Sequence, residues 1–244
     1  MWLTNSSIGR KVVMSVTGLA LILFLTFHAC MNVVALFSAE AYNAICAFLG
    51  ANWYAVVATA ALAALVALHF ICAIILTLQK RKARGGSNYA VSTKVVAGKV
   101  EWASKNMFVL GIIVCLGLLL HLYNFWYNMM FAELVGVEGP LSPTDGYAFI
   151  VQTFSCPVYA GLYIVWLVAL WFHLSHGMWS AFQTLGASGK TWLPRVKAIS
   201  IVWSTVVILM FIVVVVYFAL GFGCECSAAC GDGCAQVAAC GSAC

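Results

Sequence analysis

Residues 157–183 read PVYAGLYIVWLVALWFHLSHGMWSAFQ, 27 positions without a single Asp, Glu, Lys or Arg. A helix needs about 20 apolar residues to cross about 30 Å of hydrocarbon. This run is long enough, and it carries two histidines, His173 and His176, where an unpaired polar group is costly. Four further runs of the same kind lie at about 13–36, 53–79, 106–131 and 198–222. Over all 244 residues 64% are hydrophobic and 8% charged, which leaves too little polar surface for a water-soluble domain. Short alternating segments of the barrel type do not occur. The expected fold is all-α: an integral membrane bundle of five helices over residues 1–222, followed by a Cys-rich tail over 223–244. Arg10 and Lys11 precede the first run, but its apolar stretch exceeds a signal-peptide core and lacks a convincing cleavage site, so it reads as a retained helix.

Charge orients the bundle. With five spans the connections alternate sides, and all twelve lysines and arginines fall on one of them. Arg10 and Lys11 come first, then Lys80, Arg81, Lys82, Arg84, Lys94, Lys99 and Lys105, then Lys190, Arg195 and Lys197. Glu40, Glu133, Glu138, Asp145, Glu225 and Asp232 fall opposite, every acid but Glu101. The positive-inside rule therefore predicts a cytoplasmic N-terminus and an outer C-terminus. The net charge of +5 reads as a one-sided basic face for anionic lipid or an acidic soluble partner, not for nucleic acid. The connection at about 80–105 suits a short surface helix around VSTKVVAGKVEWASK.

All five histidines lie in the first four spans. At about 1.5 Å per residue from each span centre they fall in two layers roughly 10 Å apart. His28 and His121 form the outer layer; His69 with His173 or His176 forms the inner one. Two layers, each drawing on two helices, are what bis-histidine ligation of two stacked haems requires. A proton-relay or metal transporter is the alternative, but it calls for carboxylates inside the spans, and the five runs contain none. Small residues follow some of these histidines one turn on, where a flat ring needs room: Ala73 after His69, Gly177 after His173 and Ser180 after His176. Asn32 and Asn124 accompany the outer pair and need polar partners. Trp53, Tyr54, Trp126 and Tyr127 suit an interfacial belt.

SIGRKVVMSVTGLALILFLTFH, the second-helix His69, HLYNF and HLSHGMWSAFQTLG together resemble the cytochrome b membrane anchor of succinate dehydrogenases and fumarate reductases, in its five-helix, single-chain, dihaem form. The resemblance covers about residues 6–220. It implies two haems b, a flavoprotein subunit and an iron–sulfur subunit on the cytoplasmic face, and electron transfer to or from quinone, usually menaquinone, in the cytoplasmic (inner) membrane. It leaves a dimer of complexes open. It implies His28, His69, His121 and His173 as the axial ligands, because Gly177 and Gly186 match the family's spacing after the fourth histidine. His176 would then bond a haem propionate or the quinone. Asn32, Glu40 and Trp53 are the candidate liners of an outer quinone site; a site near Arg10 and Ser15 would put it on the cytoplasmic side instead. The chemistry of succinate or fumarate itself would belong to the soluble partner. A dihaem anchor of a hydrogenase or formate dehydrogenase is the nearest rival. The chain departs from the family at Trp171, where some members carry a Glu linked to transmembrane proton movement. It departs again in the tail, where Cys224, Cys226, Cys230, Cys234, Cys240 and Cys244 suit disulfides or an unstructured segment better than a metal site. Cys30, Cys46, Cys72, Cys115 and Cys156 are expected to be small packing residues.

Overall fold

Ser6 ends the N-terminal approach by accepting the backbone N–H of Gly9 at 2.9 Å, so the first helix starts well ahead of its apolar run. This computed structural model describes residues 6–84, 102–137 and 139–222. The expected surface helix within 80–105 and the cysteines of the tail fall largely or wholly outside them. The described residues are all-helical, without a strand. Helix α1 is Ser7–Val33, extended by a 3-10 turn over Val34–Leu36. The short α2, Ala39–Phe48, precedes α3, Trp53–Arg84. Helix α4, Trp102–His121, runs on through a π-helical segment, Leu122–Phe131, into the short α5, Ala132–Val135. Helix α6 is Gly146–Ser155, α7 is Pro157–Thr184 and α8 is Trp192–Ala219.

Five helices are long and apolar enough to cross a membrane: Ser7–Leu36, Trp53–Lys82, Trp102–Val135, Pro157–Thr184 and Trp192–Ala219. They correspond to the five apolar runs, each with shifted ends. Hydropathy marks where a helix meets hydrocarbon, whereas caps and turns decide where it stops. The sequence reading leaves α2 and α6 as loop. Both begin at a side-chain cap: Ser38 accepts from Ala41 N–H, and Asp145 from Ala148 N–H.

The fourth span, α7, is the hub. It packs against α1, α4 and α8, while α3 packs along α1. In the fourth and fifth spans 33% of the apolar window is buried, against 11% in the first three, so the core lies between α7 and α8 and the other spans turn most of their surface outward. Ser200 and Ser204, both fully buried on α8, let the helices approach closely, as small residues do where hydrocarbon offers no hydrophobic drive. Trp171 Nε1–H donates to Thr205 Oγ1 at 3.0 Å, so this residue ties the fourth span to the fifth.

The charges of the described residues separate to opposite ends. At one end Glu133 accepts from Ala51 N–H at 3.0 Å, and Asn43 donates to Asp145 at 2.7 Å while accepting from Tyr147 N–H at 2.8 Å. At the other, Arg81 lies over Phe108 and Lys197 over Trp179. Cys156 departs from its expected role. It stands in the extended break between α6 and α7, not inside a span, and it is disulfide-bonded, whereas Cys30, Cys46, Cys72 and Cys115 are free. Because Asp145 both caps α6 and holds α2, Asp145→Ala is expected to destabilise the acidic end by about 1–2 kcal/mol, read as a lower thermal midpoint in detergent. An unchanged midpoint would show that α6 needs no cap.

Candidate functional site

The outer site is built around two imidazoles. His28, on the last third of α1, and His121, at the end of α4, have ring centroids 5.8 Å apart and planes at 84°. Phe24, one turn before His28, stacks on it at 5.5 Å, and Phe211 of α8 approaches from another side at 5.7 Å. His121 is walled by Phe125, Trp166 and Tyr163, at 5.1, 5.8 and 6.3 Å. Trp166 is anchored: its Nε1–H donates to the carbonyl of Val114 at 3.0 Å, and its indole lies against the bare Cα of Gly117.

The π-helical segment begins immediately after His121. Such segments are rare and recur at functional sites. This one turns Asn124 inward, where its amide donates to the Tyr163 hydroxyl at 3.3 Å. Asn128 donates to the carbonyls of Tyr123 and Asn124, at 2.8 and 3.2 Å, which helps satisfy the disturbed ladder.

The inner site lies closer to the basic end. His69 of α3 faces α1, with Nδ1 3.2 Å from Thr17 Oγ1. A Cβ on Gly18 would stand 3.2 Å from His69 Cε1, so the ring occupies space that glycine leaves open. His173 of α7 faces Gly111 of α4, where a Cβ would stand 3.7 Å from its Cε1. His173 Nδ1 is buried and has no hydrogen-bond partner in the described structure. Gly111 and His121 mark the two levels on α4, about 15 Å apart at the α-helical rise.

The remaining candidates divide. Asn32 belongs to the outer site: its amide donates to the His28 carbonyl at 2.8 Å and lies 3.4 Å from His28 Nε2, while its oxygen accepts from the Tyr42 hydroxyl at 3.3 Å. Glu40 is exposed in the first turn of α2, and Trp53, also exposed, contacts Tyr54. Neither shares a hydrogen bond with Asn32. Gly177 faces Met107 of α4, 3.5 Å from where its Cβ would be, so it serves helix packing; Gly111 is the glycine beside His173. Ser15 is buried on α1, and Arg10 lies one turn earlier, near the start of that helix. His176 meets the Trp179 ring edge-on at 4.8 Å.

Tyr42, which the sequence reading passed over, is buried beside Cys46, and burial raises both acidities' pKa values above their usual range. Thr17, Gly18, Gly111, Tyr163 and Trp166 were also passed over. The signal available for the first two was their spacing ahead of His28, about three turns back on α1, at the depth of His69.

Between α1 and α3, at the depth between Thr17 and His28, runs an apolar groove of about 670 Å³ bordered by Ala20, Phe24, Cys30, Ala58, Ala61 and Leu65. Its size is within the range of about 300–1,000 Å³ usual for small-molecule sites.

These residues suit a haem iron. Imidazole is the donor that haem iron most often takes from a protein, and His28 and His121 would supply two of them. Their ring centroids stand 5.8 Å apart. At the inner site the glycines Gly18 and Gly111 make room for the two imidazoles themselves, and His173 Nδ1 is buried without a hydrogen-bond partner. No protein-family model, curated protein or solved structure matches the chain.

Proposed function

We propose that the chain is the dihaem cytochrome b anchor of a succinate dehydrogenase or fumarate reductase, carrying electrons between an iron–sulfur subunit and membrane quinone. The observation that supports this reading is that four histidines stand on four spans at two depths of one bundle, His28 and His121 ring against ring and His69 and His173 on α3 and α7 nearer the basic end. When bound, haem b supplies one-electron redox chemistry; the chain's residues bind, orient and shield it. His28 and His121 would hold one group within an aromatic enclosure, His69 and His173 the other nearer the basic end. His28, His121, His69 and His173 would supply two imidazoles to each group, which would leave neither iron an open position for oxygen.

In this reading the basic end is cytoplasmic and receives the iron–sulfur and flavoprotein subunits, and the C-terminus is outside, in the inner membrane of a cell. Lys and Arg on the inner side are the support for that orientation. The quinone, by the family resemblance menaquinone, would meet the chain at the outer end near Asn32.

The deciding experiment is to purify the full chain from membranes in mild detergent, count haems and identify the subunits that come with it. Two low-spin haems per chain, with a flavoprotein and an iron–sulfur protein, are expected. One haem or none overturns the architecture; two haems with hydrogenase or formate dehydrogenase subunits overturn the assignment to succinate and fumarate. Because Glu40 is exposed, Glu40→Gln is expected to leave quinol turnover unchanged. A loss of turnover would give that acid a part in proton transfer.

A further inference from the structure

Thr17 is 4% exposed and sits on α1 facing α3. Its hydroxyl has one proton, and that proton is committed to its own helix: Oγ1 lies 2.9 Å from the Val13 carbonyl and 3.1 Å from that of Met14. Oγ1 therefore meets His69 Nδ1, 3.2 Å away on the neighbouring helix, as an acceptor. A hydrogen bond there requires the proton on Nδ1. A neutral imidazole with its proton on Nδ1 has its lone pair on Nε2, the atom at the far side of the ring. Gly18, next in sequence, leaves the ring its space, with Cε1 3.2 Å from where a Cβ would stand.

We propose that Thr17 is a positioning residue for the inner site, its hydroxyl oxygen accepting the His69 Nδ1–H and so presenting Nε2 to a metal. The metal-directed half of this rests on the functional reading above; the tautomer does not.

The other histidines differ. His28 Nε2 lies near the Asn32 amide of its own helix, and His173 Nδ1 has no hydrogen-bond partner in the described structure. The contact at His69 comes from another helix, α1, whose Met14 carbonyl is a second hydrogen-bond partner of the ring, so Thr17 and Met14 together hold the ring's rotation and its distance from α1. A buried threonine could satisfy itself on its own helix alone, and the backbone bonds do that. Those bonds set where Oγ1 stands, and His69 of α3 places its Nδ1 against it at 3.2 Å.

A second partner of this kind raises the basicity of a metal-bound imidazole, and its removal typically costs about 10–100-fold in metal affinity. Raised basicity favours the ferric state, so losing it moves the midpoint potential upward.

The test uses the full chain in detergent, unsubstituted, with Thr17→Val and with Thr17→Ser. Thr17→Val keeps the shape and removes the acceptor; Thr17→Ser keeps the acceptor. Expected for Thr17→Val are roughly 10- to 100-fold weaker retention of the inner haem, a more positive inner midpoint potential, an altered low-spin EPR signal for that haem alone, and an unchanged outer haem. Thr17→Ser restores all of these. In the haem-free chain labelled with ¹⁵N at histidine, His69 is expected as the Nδ1–H tautomer, and Thr17→Val to lose that preference. Two haems in the unsubstituted chain with Thr17→Val indistinguishable from it would overturn the role of Thr17. An Nε2–H tautomer at His69 would overturn the hydrogen bond. No haem in the unsubstituted chain would overturn the functional reading and the metal-directed half with it, while the ¹⁵N result still decides the contact.

Discussion

On the dihaem reading, His173→Ala is expected to retain one haem per chain where the unsubstituted protein retains two, and His69→Ala to lose the same one. The expectation follows from which rings can oppose each other. His69 is fixed toward α1 by Thr17, and His173 approaches from the hub helix with an unpartnered buried nitrogen. A haem held by His69 and His173 would lose one of its two imidazoles on removal of either residue. His176, three residues on, is turned about 300° around the helix and displaced about 4.5 Å along it. Its ring lies against Trp179, whose other contact is Lys197 of α8. His176→Ala is therefore expected to keep both haems while shifting the inner potential or weakening attachment of the soluble partner. The haem lost in His173→Ala should be the one of higher potential, because nearby positive charge favours the reduced state and the lysines and arginines lie at that end. Haem content and a redox titration of each variant decide the matter. If His176→Ala loses the inner haem and His173→Ala does not, the two histidines have exchanged roles. If the reverse order of potentials appears, only the electrostatic argument fails.

The five spans were legible because a membrane imposes a length and a composition, and runs such as 157–183 meet both without ambiguity. The two histidine levels are read by the same route, since rise per residue converts a position in a span into a depth, but the roughly 10 Å expected that way is short of the distance of about 15 Å between Gly111 and His121 on α4. What depends on one or two side chains was less legible. Ser6, Ser38 and Asp145 start helices where hydropathy shows nothing. The π-helical turn after His121 goes with a hydrogen bond from Asn124 to Tyr163, 39 positions away, and no local periodicity announces that. The glycines show the limit most plainly. Gly177, one turn from His173 in sequence, turns out to face Met107, and the glycine beside His173 is Gly111, on a different helix. Spacing along one chain gives the face of a helix only approximately, and which neighbour that face meets is a property of the packing.

Gly117→Ala is expected to disrupt the outer site more than any other single methyl added to the bundle. A Cβ at this position would overlap the indole of Trp166, with Cδ1, Cγ and Nε1 all inside contact distance. The ring has little freedom to retreat. Its Nε1–H is bonded to the Val114 carbonyl at 3.0 Å, and its faces and edges meet His121 at 5.8 Å and Tyr163 at 5.6 Å. Moving the indole breaks that bond and pushes on His121, the residue that must stay opposite His28. Overpacking of this kind costs about 1–3 kcal/mol, and a lost hydrogen bond adds about 1 kcal/mol. The outer haem should be lost or displaced in potential while the inner haem is kept, and the thermal midpoint in detergent should fall. Gly161→Ala supplies the control, because a Cβ there meets nothing within 4 Å, and replacing a helical glycine by alanine is worth about 0.5–1 kcal/mol in the stabilising direction. Gly117→Ala combined with Trp166→Phe tests the mechanism, since the smaller ring should relieve the overlap and recover part of the loss, a coupling expected only of residues in contact. Equal behaviour of Gly117→Ala and Gly161→Ala would show that the indole does not rest on Gly117, and the aromatic wall around His121 would have to be redrawn.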